Sequence, residues 1–463
     1  MTCDKHTAQT IGKGDLVVVV GAGRSGMAAA RLLHRMGARV RLLERNADGV
    51  PADFVRWAAD AGVEIATGDH APAQFEGARA VVPSPGMAVA TLRPLLPQGP
   101  DAPEILAEME LAWRQLDGEP VLAVTGTSGK TTTVSLCAAM LRAQGLSVFL
   151  GGNIGTPLSE YVLSVAHGGA NGSPRADVLV IEISSFQLQA CTTFRPRVAM
   201  LLNISENHLD YHADMAEYID AKFRLFRCMD EGDLAIFGQG VRDLVAAREL
   251  KPRTLFFDAA ARRFPHTRLL GGHNQANIEA AWQACREFGV TPEAAERAVA
   301  DFAPLEHRLE AVAERNGVLW VNDSKCTTVE ALRVALQAFD RPVVLMVGGK
   351  FKGGDLASLL PLMHGRVRAV VGFGKSREYF EAAWQCHAGC PANARDTEAG
   401  LPLPGHRFSL SWHDTLDPAV AQAAALAQPG DAVVMAPATS SFDLFANYKE
   451  RGHAFRRAVE ALP

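Results

Sequence analysis

Residues 121–136 read VLAVTGTSGKTTTVSL. The apolar run Val121–Val124 predicts a buried strand, which breaks at Thr125-Gly126-Thr127-Ser128-Gly129-Lys130-Thr131 before a helix-forming segment. A strand, a glycine-bearing loop and a helix in this order build a cradle for phosphate. Gly126 and Gly129 let backbone N–H groups turn inward on an anion, and the helix N-terminus adds a favourable field. Lys130 supplies a mobile cation, and the Thr131 hydroxyl can ligate the Mg²⁺ that travels with a nucleotide. The general phosphate-loop pattern has a further glycine where Val124 stands, so the motif here is the shorter G-x-x-G-K-T.

Working outward, the chain of 463 residues is too long for one core and predicts about three domains. Residues 15 to about 110 alternate strand and helix. DLVVVVGAG ends at Gly21-Ala22-Gly23-Arg24-Ser25-Gly26, MAAARLLHRMG has helical spacing, and ARVRLLE ends at Glu44. This order resembles a dinucleotide fingerprint, although the same turn serves any strand–helix junction or phosphate. RAVVPSPG predicts another strand closing at Ser84-Pro85-Gly86, and Asp101–Trp113 reads as helical. A second unit from about 119 to 305 carries VLAVTG, DVLVIEIS, VAMLLNIS and DLAIFG. A third, from Leu309, carries VLWVNDS, PVVLMVGG, VRAVVGFG and DAVVMAPA. The alternation predicts a parallel sheet covered on both faces in each unit.

Bulk properties exclude several classes. A net charge of −5 argues against nucleic acid as an electrostatically attracted partner. The polar start, residues 1–6, predicts no secretory leader, and no run reaches the roughly 18 apolar residues of a membrane helix. The eight scattered cysteines suit reduced thiols in a cytosol. Cys386-His387-Ala388-Gly389-Cys390 lacks a second Cys/His pair and reads as a surface loop, as does the glycine-rich run 168–174.

Chemistry gathers at the predicted strand ends of the central unit. Glu182 closes an apolar strand, and a carboxylate there beside a phosphate loop is placed to hold Mg²⁺. The next strand leads to Asn203-Ile204-Ser205-Glu206-Asn207-His208, where a histidine is a metal ligand or a structural residue. Lys222, in the helical stretch AEYIDAKFRLF, reads from the residues alone as a solvated lysine. Asn274 and Asn277 share a helical face and suit either a purine edge or a helix cap. Arg308 offers a guanidinium fork for phosphate, or is a surface arginine at a linker.

Taken together, ten segments resemble the Mur ligase family: GTSGKTT (126–132), GGNIGTPL (151–158), EISSFQL (182–188), NISENHLDYH (203–212), AKFRLF (221–226), GGHNQAN (271–277), HRLE (307–310), NDSK (322–325), GGKFKGGD (348–355) and PATSSFDLFANYKERG (437–452). They stand in the family's order, and GGNIG with the C-terminal block favours its glutamate-adding member. The resemblance implies three α/β domains: an N-terminal Rossmann-like domain (1–113) for the UDP substrate, a central P-loop ATPase-like parallel sheet (114–308) for ATP, and a C-terminal Rossmann-like domain (309–463) for glutamate. It further implies ATP- and Mg²⁺-dependent amide formation between UDP-N-acetylmuramoyl-L-alanine and D-glutamate through an acyl phosphate, by a cytoplasmic monomer in peptidoglycan precursor synthesis.

By the same resemblance, Gly126, Thr127, Ser128, Gly129, Lys130, Thr131, Thr132, Asn274, Arg308 and Asp323 would contact ATP. Thr131, Glu182, His208 and Lys222 would serve the metal sites, Lys222 as a carbamate. Lys130, His208 and Lys222 would carry catalysis. Arg24, Ser25, Glu44, Arg45 and Asn153 would hold the UDP substrate, and Thr327, Lys352, Ser441 and Phe442 the incoming glutamate. Thr328 stands where the family often has Asn, and Leu444 where it often has Gln. A ligase for L-glutamate or another acceptor, of the folylpolyglutamate synthase kind, shares this logic. A nucleotide-dependent oxidoreductase built on Gly21–Gly26 and Glu44 leaves the phosphate loop, Glu182 and His208 unexplained.

Overall fold

The computed structural model describes Cys3 and residues 10–165, 173–206, 211–384 and 407–463. His208, the residues 385–406 around Cys386 and Cys390, and most of the glycine-rich run 168–174 lie outside the described residues. Three sheets follow one another along the chain. The first holds β1 (Leu16–Val20), β2 (Arg39–Glu44), β3 (Glu64–Thr67), β4 (Ala78–Pro83) and β5 (Glu104–Ile105) in the order β3-β2-β1-β4-β5, all parallel. The chain winds one way from β1 and then returns to its other side, so the switch point falls between β1 and β4, where α/β sheets take their ligands.

The second sheet holds β6 (Val121–Thr125), β7 (Val148–Gly152), β8 (Val178–Glu182), β9 (Val198–Leu201), β10 (Leu234–Gly238) and β11 (Arg253–Phe257). Its order is β11-β10-β9-β6-β8-β7, again parallel throughout. Every residue of β6, β8, β9 and β10 is buried, as near-continuous apolar runs demand of a sheet covered on both faces. These two sheets form one compact unit, residues 1–264 and 276–299. One apolar core runs through both, from Val17 and Leu33 to Ile181 and Phe237. Glu110, fully buried, ties the joint: it accepts from Thr193 N at 2.9 Å, Thr193 Oγ1 at 2.7 Å, Phe194 N at 3.1 Å and Arg114 Nε at 3.1 Å. The stretch expected to be helical from Asp101 is interrupted: β5 comes first and the helix starts at Glu108. Pro103 explains the break, since it biases its predecessor away from helix.

The other compact unit comprises residues 265–275 and 300–463. Its sheet holds β12 (Glu310–Arg315), β13 (Val318–Asn322), β14 (Val343–Gly348), β15 (Val367–Phe373), β16 (Ser409–His413) and β17 (Ala432–Met435) in the order β12-β13-β17-β14-β15-β16. The expectation of a parallel sheet fails at one edge, where β12 runs antiparallel to β13. The cause is local: the two strands are joined through Asn316 (φ 52) and Gly317 (φ 75), the Asn-Gly pair that closes a tight hairpin.

The expectation of reduced thiols also needs correction. Cys3 and Cys228 form a disulfide with Cα atoms 5.2 Å apart, while Cys137, Cys191, Cys285 and Cys326 are free and buried. Partners separated by 225 positions leave no spacing signal in a sequence. Among the described residues no helix is long and apolar enough to cross a membrane.

Arg451 is the polar tie of the second unit. Its fully buried guanidinium donates to Ser324 O (2.8 Å), Thr439 O (3.0 Å), Gly348 O (3.3 Å) and Ser324 Oγ (3.0 Å), collecting the carboxyl ends of β13, β14 and β17. Burial pulls its pKa down to about 10, leaving it charged at neutral pH. Arg451→Met would strand the Ser324 and Thr439 carbonyls, at about 1–3 kcal/mol per orphaned buried group. We expect a loss of roughly 3 kcal/mol, read as a lower urea midpoint in fluorescence. An unchanged midpoint would show that other donors replace the guanidinium.

Candidate active site

The phosphate loop takes the form its residues predict. Gly126 (φ 152) and Gly129 (φ 84) adopt backbone conformations that side chains disfavour. A Cβ on Gly129 would stand 2.5 Å from Asn277 Oδ1, so the loop is packed against that asparagine. The helix Lys130–Ala143 begins at Gly129 with no side chain capping it, which suits an N-terminus meant for an anion. Lys130 Nζ folds back onto Gly126 O (2.7 Å) and Thr127 O (3.0 Å).

Strand pairing supplies the carboxylate. Val124 lies in register with Glu182, and the loop brings Thr131 back over that strand end. Glu182, only 2% exposed, accepts from Thr131 Oγ1 at 2.8 Å and from Asn153 Nδ2 at 2.9 Å. A hydroxyl and a deeply buried carboxylate are hard oxygen donors, the set that Mg²⁺ takes with one or two protein ligands and nucleotide phosphates. The residues present therefore fit the ion and nucleotide that the resemblance implies. Asn153, expected near the UDP substrate, is found on Glu182.

Lys222 departs most from its reading as a solvated lysine. It is 1% exposed, lies 4.6 Å over the Tyr218 ring and donates to Gly126 O at 3.0 Å, the same carbonyl that Lys130 uses. Burial and the neighbouring Lys130 charge hold its ammonium well below the ordinary lysine range. Tyr218 turns its hydroxyl to Thr127 Oγ1 (3.0 Å). Asn203 was not singled out from sequence, yet its Oδ1 accepts from Ser128 N (2.9 Å) and its O from Thr127 N (3.1 Å). Its place at the end of a predicted strand beside the loop was the available signal. Ser128 is exposed at the loop tip, and Thr132 is buried in the first helical turn.

In the first sheet, Arg24 and Ser25 open the helix Arg24–Arg35 beside the Gly21–Gly26 turn, with Arg24 exposed. Glu44 ends β2 and accepts from Ala22 N (2.7 Å) and Asn46 N (3.1 Å). Burial works to raise its pKa, but the hydrogen bonds from the Ala22, Asn46 and Arg45 amides outweigh it and hold the carboxyl low. Glu44 is thus an ionised brace of the glycine turn. Arg45 is exposed next to it.

The second unit holds the remaining candidates. Asn274 is buried and donates from Nδ2 to Leu270 O (2.7 Å). Arg308 is flanked by two residues in the left-handed region, His307 (φ 65) and Leu309 (φ 42), pinned by His307 N to Glu310 Oε2 (2.9 Å) and Leu309 N to Asp323 Oδ1 (3.2 Å). Such strain, of order 1–3 kcal/mol per residue, concentrates at functional sites. Burial pushes Asp323 up to about 7, against the pull of the Leu309 amide and of Arg308 and Arg451. At the carboxyl end of β17, Ala438 (φ 58) starts the turn that buries Ser441 and leaves Phe442 65% exposed, with Lys352 Nζ 5.8 Å from its ring. Thr327 is half-buried before the helix Val329–Leu336. Thr328, the departure from the family's frequent Asn, caps that helix by accepting from Ala331 N (3.2 Å).

Known proteins resemble this chain along its whole length. The Mur ligase middle domain matches residues 124–263, the Mur ligase glutamate ligase domain residues 307–439, and an NAD(P)-binding Rossmann-like domain residues 19–51. The chain is 89% identical over 463 residues, the whole of both chains, to the UDP-N-acetylmuramoylalanine–D-glutamate ligase of Nitratidesulfovibrio vulgaris strain Miyazaki F. It is 50% identical over 446 residues to the ligase of that name from Lawsonia intracellularis, covering 96% of this chain and 94% of the relative. A crystal structure of the MurF ligase from Thermotoga maritima in complex with ADP superposes with a TM-score of 0.58 at 18% identity, covering 91% of this chain and 95% of that one. The chain belongs to the Mur ligase family.

Proposed function

We propose that this chain joins the carboxyl group of UDP-N-acetylmuramoyl-L-alanine to the amine of D-glutamate at the expense of ATP, in cytoplasmic synthesis of peptidoglycan precursors. One observation carries the reading: the phosphate loop sets Lys130, Thr131, buried Glu182 and buried Lys222 around one strand end, in a chain 89% identical end to end to a relative of that name. The oxidoreductase alternative has no use for this group. The working form is a monomer. Residues 1–113 bind the UDP end through Arg24, Ser25, Glu44 and Arg45; residues 114–308 bind ATP; residues 309–463 bind glutamate.

The chemistry runs in two displacements. A carboxylate oxygen of the alanyl group attacks the γ-phosphorus of ATP, and the bond to ADP breaks, giving an acyl phosphate. The glutamate amine then attacks the acyl carbon, the C–O bond to phosphate breaks, and the amine loses a proton as the amide forms. Thr131 and Glu182 would hold Mg²⁺, with His208 and Lys222 at a second metal; the bound ion supplies neutralisation of phosphate charge. Lys130, freed from the Gly126 and Thr127 carbonyls, turns its ammonium to the transferring phosphoryl group. Asn274, Arg308 and Asp323 complete the nucleotide contacts. Lys352, Thr327 and Ser441 offer one cation and two hydroxyls to a dicarboxylate, with Phe442 as an apolar wall. Charge held at three points distinguishes the hand of an amino acid, because the wrong enantiomer misplaces one group.

Three outcomes are expected. Lys130→Ala should fold and bind the UDP substrate yet form no amide, because phosphoryl transfer depends on electrostatic stabilisation. Phosphate release at the wild-type rate would refute the role. Lys222, whose ammonium is disfavoured by burial and by Lys130, should react with CO₂ through its deprotonated form, the Nζ lone pair attacking carbon and the nitrogen releasing a proton, to give a carbamate anion suited to a metal. ¹³C NMR of active enzyme under labelled CO₂ should show that carbamate, and its absence would remove Lys222 from the metal site. Lys352→Ala should raise KM for D-glutamate roughly tenfold to a hundredfold, in line with a charge-assisted contact of ~1.5–3 kcal/mol. KM for ATP should stay within twofold. Equal rises in both would place Lys352 outside glutamate binding, and preference for L-glutamate would refute the stereochemical assignment.

A further inference from the structure

Lys352, the cation assigned to glutamate, stands exposed on a loop that leaves β14 after Gly348. The loop is tightly threaded where it begins. A Cβ on Gly348 would come within 1.9 Å of Phe373 O, and one on Gly349 within 2.3 Å of Ser440 O. Lys350 then pairs with Ser440 in a short antiparallel bridge, Lys350 N donating to Ser440 O (2.7 Å) and Ser440 N to Lys350 O (3.1 Å). Beyond Lys352 the chain turns through Gly353 (φ 103) and Gly354 (φ 116), both exposed. Lys352 Nζ lies 5.8 Å from the Phe442 ring, so the loop reaches over the turn that carries Ser441.

Ser376, 2% exposed, sits between the end of β15 and the helix Arg377–Trp384. A serine in that place ordinarily turns its hydroxyl onto the amides of its own helix. This one turns to the neighbouring loop: its Oγ accepts from Phe351 N at 2.8 Å and donates to Gly349 O. The two bonds bracket Lys350 and end one residue before Lys352. Phe351 adds an apolar hold on the same helix, its ring 5.1 Å from that of Tyr379 and 6.0 Å from that of buried Phe380. A long ammonium side chain on a loop without such anchors has to be ordered by its ligand, at a cost in affinity.

We infer that Ser376 is a positioning residue for glutamate: its buried hydroxyl, bonded to both Gly349 and Phe351, fixes the loop that presents Lys352 over the Ser441–Phe442 turn. The inference rests on the proposed assignment of Lys352 and Ser441 to glutamate. Ser376 touches no substrate and acts through the backbone on either side of Lys350, so its effect belongs to the substrate that Lys352 holds and to no other.

Ser376→Ala removes both bonds. Steady-state kinetics should show KM for D-glutamate rising about tenfold, the scale of one or two hydrogen bonds, while kcat and the KM values for ATP and UDP-N-acetylmuramoyl-L-alanine stay within about twofold. In a Lys352→Ala background the same exchange should raise KM for D-glutamate no further, because a residue acting through Lys352 has nothing left to position. Far-UV circular dichroism checks that each variant is folded. If the alanine variant does not fold, Ser376→Cys, which keeps a weakly bonding group of similar size, should give a smaller rise confined to D-glutamate and again absent beside Lys352→Ala. An unchanged KM for D-glutamate, equal rises for all three substrates, or a further rise in the double variant overturns the inference. Lys352→Ala with the wild-type KM for D-glutamate instead overturns the assignment on which it rests.

Discussion

Two ammonium groups converge on one backbone carbonyl, Lys130 Nζ and Lys222 Nζ on Gly126 O, and this crowding governs the central site. Lys222 is fully buried there, and a carbonyl shared with Lys130 offsets little of its charge. One relief is for Lys222 to lose its proton, which is the direction burial and Lys130 both push it. The other is for anions to enter, which an uncapped helix start and two glycines at positive φ prepare for. The scaffold of the loop is rigid because β6 lies between β8 and β9, where Thr125 Oγ1 holds Ile183 O at 2.9 Å and Asn203 brackets Ser128.

How much of this could be read in advance depended on whether the physics was local. The phosphate loop was legible because its backbone geometry requires glycines at fixed places, and Glu182 because an acid closing an apolar run must have a reason. Lys222 was not, since burial of a helix lysine is decided by which elements pack over it, here Tyr218 and the loop itself. The joint between the first two sheets was equally hidden: Glu108 and Glu110 look like solvated helix acids until the partners from Ser159 and residues 192–194 are in view. By contrast, the antiparallel edge of the third sheet had a local signal in Asn316-Gly317, overlooked beside the stronger strand–helix alternation.

Stability and chemistry are divided differently in the last sheet. Arg451 spends its hydrogen-bonding capacity on strand-end carbonyls and on Ser324, with no exposed surface left for a ligand. With those ends fixed, the chain beyond them can hold conformations that cost energy, at His307, Leu309 and Ala438. Arg308 and the Thr439–Ser441 turn, both bordered by these residues, are the parts assigned to nucleotide and glutamate. A fully buried cation thus underwrites the strained backbone beside Arg308 and Ser441.

The same division accounts for two of the positions that depart from the family's usual residues. Thr328 accepts from Ala331 N, a duty that Asn would perform equally well at a helix N-cap, so the exchange leaves the local backbone unchanged. Leu444 is 36% exposed, two positions beyond Phe442, and its Cδ1 lies 3.4 Å from where a Cβ on Gly374 would stand. Replacing an amide by an aliphatic chain there removes hydrogen-bonding capacity and adds exposed apolar surface. The backbone is held from below by Asp443, whose Oδ2 accepts from Lys375 N at 3.1 Å. The exchange at 444 therefore alters the exposed surface near Ser441 without loosening the turn that carries it.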